Sequence, residues 1–115
     1  MAAVENSINT LGIKTVVTAG TPIQLSTTVQ KCNRIWVQPL KAFGASAAAD
    51  TANAGVIYIL NTLTAKGESS TNVIARLDSG ENAVLLEAPK SGHFDLSAFW
   101  IDAQTSGDGA IISYA

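Results

Sequence analysis

Short runs of β-branched and aromatic residues, each cut off by Gly, Pro or Asx punctuation, recur along this chain from Ile13 to Tyr114. Ile13, Val16 and Val17 open the series, and Gly20-Thr21-Pro22 stops it. Ile23 and Leu25 follow in a short alternating piece. Arg34-Ile35-Trp36-Val37-Gln38 alternates cleanly and ends at Pro39. Gly55-Val56-Ile57-Tyr58-Ile59-Leu60 is apolar on both faces, which suits a central strand covered on both sides or a strand at a subunit contact. Asn72-Val73-Ile74-Ala75-Arg76-Leu77 and Ala83-Val84-Leu85-Leu86-Glu87-Ala88 are two more, separated by the polar turn around Gly80, and the second ends at Pro89. No stretch repeats apolar residues at helical spacing for a helical length. The spacing of strands and turns predicts an all-β domain of about eight short strands, a β-sandwich or jelly roll.

The last stretch, residues 96–114, sets two apolar runs around a polar turn ending Gly107-Asp108-Gly109. That composition predicts a β-hairpin closing the fold. The turn also gathers oxygen ligands: Asp102, Thr105, Ser106 and Asp108. Calcium needs six or more oxygens, and the acids do not follow EF-hand spacing, so the expectation is a structural turn and no metal.

Charge narrows the class of function. Only 14% of the 115 residues are charged, against 47% hydrophobic, with a formal net charge of −2. That supplies one well-filled core and excludes disorder. Such a sparse set of charges predicts that another chain covers part of the surface. The seven Lys and Arg are scattered, with no basic stripe for nucleic acid. No apolar run approaches the ~20 residues of a membrane-spanning helix, and the early Glu5 and Asn6 argue against a signal peptide.

Sites of chemistry are few. His93 is the single histidine, two residues from Asp95, with no nucleophile-elbow or triad signature around it. It reads as polar surface, and the chain as no enzyme. Cys32 is the single cysteine; it reads as a small buried hydrophobe and offers neither a disulfide nor a zinc site. No cofactor motif is present.

The tryptophans carry more. Period-two alternation puts Trp36 with Arg34 and Gln38, opposite Ile35 and Val37. It puts Trp100 with Ala98 and Asp102, opposite Phe99 and Ile101. Both indoles therefore sit on the more polar side of their strands, where a large ring with one N–H donor suits a subunit contact. Two segments stand outside the strand pattern. Residues 1–12 read as an arm preceding a domain at 13–115, either frayed or ordered on a partner. The Ala-rich residues 42–54 read as a long surface loop with at most a short helical turn.

The order of these features resembles a family. Gly20-Thr21-Pro22-Ile23-Gln24-Leu25, Cys32, Ile35-Trp36-Val37-Gln38, Asn53-Ala54-Gly55-Val56-Ile57-Tyr58-Ile59, Leu77-Asp78-Ser79-Gly80-Glu81, Leu96 to Ala103, Gly107-Asp108-Gly109 and Ser113-Tyr114 follow one another. In this order they look like the small all-β virion proteins of tailed bacteriophages, most of all the head decoration (cement) proteins. The likeness spans roughly residues 18–115; the segment 42–54 is longer than that pattern. The resemblance implies a non-enzymatic protein, commonly a homotrimer, made in the host cytoplasm. It would bind the major capsid protein on the capsid exterior and clamp neighbouring shell subunits. It involves no nucleic acid, membrane or cofactor. Contact residues expected on this reading are Ala3, Val4, Ile8 and Leu11 in the arm, with Trp36 and Trp100. A rival reading is a tail-tip, fibre or baseplate module binding host surface or carbohydrate, for which the loops offer Phe43 and His93.

Overall fold

The structure is a computed structural model and describes residues 8–61 and 72–115. The chain is all-β, built of antiparallel sheets. Ten strands are present among the described residues: β1 (Asn9–Thr15), β2 (Ile23–Gln24), β3 (Lys31–Cys32), β4 (Arg34–Pro39), β5 (Ile57–Leu60), β6 (Val73–Leu77), β7 (Val84–Glu87), β8 (Phe94–Asp95), β9 (Trp100–Ala103) and β10 (Gly109–Tyr114). One four-stranded sheet runs β1-β10-β4-β7 and another β2-β9-β5-β6; β3 and β8 pair separately. The extra strands beyond the expected eight are two-residue pieces that a pattern search over four or more residues cannot register.

Alternation builds the core. In β4, Ile35 and Val37 are fully buried, and in β10 Ile112 is. From the second sheet Ile57, Ile59, Leu77 and Ile101 are fully buried, and all seven belong to one cluster. Phe94 and Phe99 meet edge to face, centroids 5.3 Å apart, at its margin. Each such buried aliphatic chain stabilises the fold by about 1.5–3 kcal/mol. β5 is an interior strand flanked by β9 and β6, one of the two placements its two-faced apolar sequence suits.

Three expectations need correction. The first strand begins at Asn9 rather than Ile13, so residues 9–12 of the expected arm belong to the sheet. A bulge between Thr10 and Gly12, with Gly12 at φ +70°, lets a polar, glycine-containing stretch pair with β10 and hides it from a propensity reading. Second, the last stretch is no hairpin. β9 pairs with β2 and β5, while β10 pairs with β1 and β4, so residues 104–108 carry the chain from one sheet to the other. Third, Asp102 is fully buried rather than on a polar face.

The crossing has its own fastening. Asp108 is fully buried, and its carboxylate accepts from the N–H of Ala54 (3.0 Å) and of Gly55 (2.8 Å). The Asn53 side chain pairs in both directions with the Gly109 backbone. Val16 N–H donates to Asp108 O and Gly107 N–H to Val16 O, both at 2.8 Å. These bonds satisfy the polar groups that a buried corner would otherwise strand. At Gly109 a Cβ would lie 2.5 Å from Lys14 O, so the close approach of β1 admits glycine there.

The Ala-rich segment leaves and re-enters the body at one point. Ala42 and Thr51 bridge, with Thr51 N–H donating to Ala42 O at 2.8 Å. Gly44 N–H donates to the Asp50 carboxylate, and an exposed 3-10 turn spans Ala47–Ala49. The segment is thus a self-closed excursion beside the core.

Candidate interaction surfaces

Trp36 stands on the outer face of β4, half-buried, with Leu85 of β7 on one side in register and Ser113 of β10 on the other. It lines a shallow hollow of about 270 Å³ with Ile8, Gln38, Ala83, Ile111 and Ser113. None of those side chains is ionisable. Ile8 is 67% exposed beside it, and Leu85 is 42% exposed. At the end of this face Arg34 and Glu87 are direct cross-strand neighbours, both exposed, a favourable pairing of opposite charges.

The expected contact residues therefore separate. Ile8 and Trp36 come together on one surface. Leu11 does not join them: it is half-buried and packs against the core from the β1 bulge. Trp100 lies in the other sheet, half-buried, opposite Leu60 and Gln24. The two indoles thus serve two different surfaces. Ala3 and Val4 lie outside the described residues. Leu85 and Ile111 were missed as surface residues. Alternation could have found Leu85, because in Val84-Leu85-Leu86-Glu87 two consecutive leucines must face opposite ways.

The remaining polar groups hold turns. Asp95 caps the short 3-10 turn Leu96–Ala98: its Oδ1 accepts from Ser97 N–H at 3.0 Å, Ser97 Oγ at 2.8 Å and Gln30 N–H at 3.2 Å. The Ser97 backbone bond chiefly, then its hydroxyl, with further help from Gln30 and Lys31, hold the Asp95 carboxyl below the usual range. The Ser97 hydroxyl donates to Asp95, so it is not the proton donor of a Ser–His pair; His93 is exposed. Cys32 is buried, and that burial, with the Asp95 charge second, pushes its thiol up. Asp102 Oδ1 accepts from Gly20 and Ala103 N–H, while its buried Oδ2 has no partner among the described residues. Those residues gather no group of three or more His, Cys, Asp or Glu side chains suited to a metal ion. They contain no helix long and apolar enough to cross a membrane.

No known protein family, curated protein or solved structure matches this chain.

Proposed function

We propose that this chain is a non-enzymatic structural protein of a bacteriophage virion, a β-sandwich of jelly-roll type that decorates the capsid exterior. It is synthesised in the host cytoplasm, binds the major capsid protein and clamps neighbouring shell subunits. The observation that carries this reading is the uncharged outer surface around Trp36, where Ile8, Ile111 and Leu85 stand exposed or half-exposed on a body with few charges. Surfaces of that kind mark protein contacts. A clamp that binds only the assembled lattice stabilises it by mass action, multiplied over many sites. Assembly as a homotrimer belongs to the resemblance to decoration proteins and rests on it.

The test is electron cryo-microscopy of DNA-filled capsids lacking the protein, before and after adding it. New density on the outer shell lattice supports the reading. Density at the tail, or an unchanged particle, sinks it.

A second reading, a tail or fibre module that binds carbohydrate, is favoured by one feature. Phe43 is 64% exposed on the self-closed excursion, where a ring could stack on a sugar. Glycan binding that disappears in Phe43→Ala would favour this reading over the first.

A further inference from the structure

The free edge of β7 is built to be paired. Edge strands present unpaired N–H and C=O groups, and proteins ordinarily blunt them with charge, bulges, proline or brevity. Of the four edges of the two four-stranded sheets, three are broken by a bulge or register shift or are only two residues long. β1 carries the Gly12 bulge and Lys14. β2 is two residues long. β6 has a register shift against β5 and the exposed Arg76. β7 is four residues long and carries one exposed charge, Glu87, at its last position, but its ladder with β4 runs without a register shift, no proline lies within it, and it shows Leu85 to solvent.

The direction of its hydrogen bonds follows from the ladder. Ala88 N–H donates to Asn33 O at 2.8 Å, and Arg34 exchanges both its bonds with Ala115. In an antiparallel pair the bonding alternates. Leu86 and Val84 therefore bond to β4, while the N–H and C=O of Leu85 and Glu87 point away from it. Among the described residues nothing pairs with them. Beside this edge, between β7 and β6, runs a groove of about 480 Å³ whose lining includes Leu85, Leu86 and Glu87 of β7, with Ile74, Phe94 and Phe99.

We infer that β7 pairs with β7 of a second copy of this chain, antiparallel across a two-fold axis. Such an axis, perpendicular to the sheet, keeps outer face with outer face, so residues pair only with like-facing residues. Leu85 then meets Leu85 of the second copy, and their outward N–H and C=O groups exchange hydrogen bonds. In that register Glu87, the one charge of the strand, faces Ala83, so no like charges oppose. The added strand lies about 4.8 Å beyond β7. Its inward Val84 and Leu86 cover the groove, and each copy does this for the other. The edge is short, so the contact belongs to the weak, concentration-dependent class. It needs only this chain and does not rest on the capsid reading. It closes with two copies, which departs from the trimer carried by the resemblance.

Sedimentation velocity of the purified full chain over a concentration series tests it. The expected species is a dimer in equilibrium with monomer. Leu85→Lys and Leu85→Glu each set like charges face to face and should be monomeric, while an equimolar mixture of the two should form dimers again. Leu85→Pro removes an N–H that β4 does not use and should also be monomeric. Unchanged circular dichroism and melting would show these variants folded; where Leu85→Pro fails to fold, the charge pair decides. A wild type that stays monomeric or forms trimers overturns the inference. So does association of Leu85→Lys equal to wild type, or a mixture that stays monomeric.

Discussion

The side-chain amide of Asn53 pairs with the backbone of Gly109 as another strand would: Nδ2 donates to Gly109 O at 2.8 Å, and Gly109 N–H donates to Oδ1 at 3.0 Å. Asn53 is 5% exposed and Gly109 is buried. Water therefore cannot replace either bond. Asn53→Ala leaves the buried Gly109 N–H unmatched, at a cost of about 1–3 kcal/mol, while Gly109 O keeps its bond from Leu40 N–H at 3.1 Å. The expected result is a large fall in the urea midpoint with an unchanged m-value. A midpoint unmoved from wild type would show that the corner is held by Asp108 without it.

Acid should loosen the turn before β9. The folded-state carboxyl of Asp95 lies below its usual value because Ser97 and Gln30 bond to the ionised form. The folded protein therefore binds fewer protons here than the unfolded chain does. The stabilisation is present above the unfolded-state pKa and is lost as pH falls through the folded value. Asp95→Asn should flatten the acid limb of the melting temperature against pH and leave its shape near neutrality. An acid limb identical to wild type would remove Asp95 from the account.

Truncation should divide the first twelve residues in two. Deleting residues 1–7 removes none of the contacts described above. Deleting residues 1–12 removes the pairings of Asn9, Thr10 and Gly12 with β10, the Thr10 hydroxyl bond to Ile112 O, and the packing of Leu11 on the core. The longer deletion should melt lower and expose amides of β10 to hydrogen exchange. Equal melting of both would contradict the placement of β1.

The fate of those twelve residues shows which parts of the fold were legible in the sequence. Where alternation runs four residues or more, as in Arg34 to Gln38, it gives both the strand and its faces, and Trp36 stands outward as the pattern requires. Strands fixed by long-range pairing leave no local trace. Asn9 to Gly12 become strand because β10 offers an edge, and Lys31 with Cys32 because Phe94 and Asp95 lie opposite. The sheet to which a strand belongs is equally non-local. The sequence around Asp108 suits a hairpin, but its carboxylate bonds to Ala54 and Gly55, more than fifty residues away, and the chain turns into the other sheet. The Trp36 surface was half legible: the indole could be read from period two and Ile8 was expected as a contact in the arm, but their meeting with Ala83 could not be read, because Ile8 and Ala83 come from the ends of other strands.

Trp36 and Trp100 should respond differently to assembly. Trp36 faces an uncharged hollow on the outside of β4, whereas Trp100 packs in the second sheet opposite Leu60, which is itself fully buried. With the other indole replaced by Phe in each case, acrylamide quenching of Trp36 should fall when the protein binds capsids, and quenching of Trp100 should change little. A ring at the centre of a contact typically contributes 2 kcal/mol or more, about thirtyfold in affinity. On the proposed capsid reading, Trp36→Ala should therefore weaken capsid affinity by roughly that factor while the chain still folds, because the indole is not part of the buried cluster. Equal protection of both tryptophans in the free chain, or full occupancy by Trp36→Ala, would move the contact away from the β4 face.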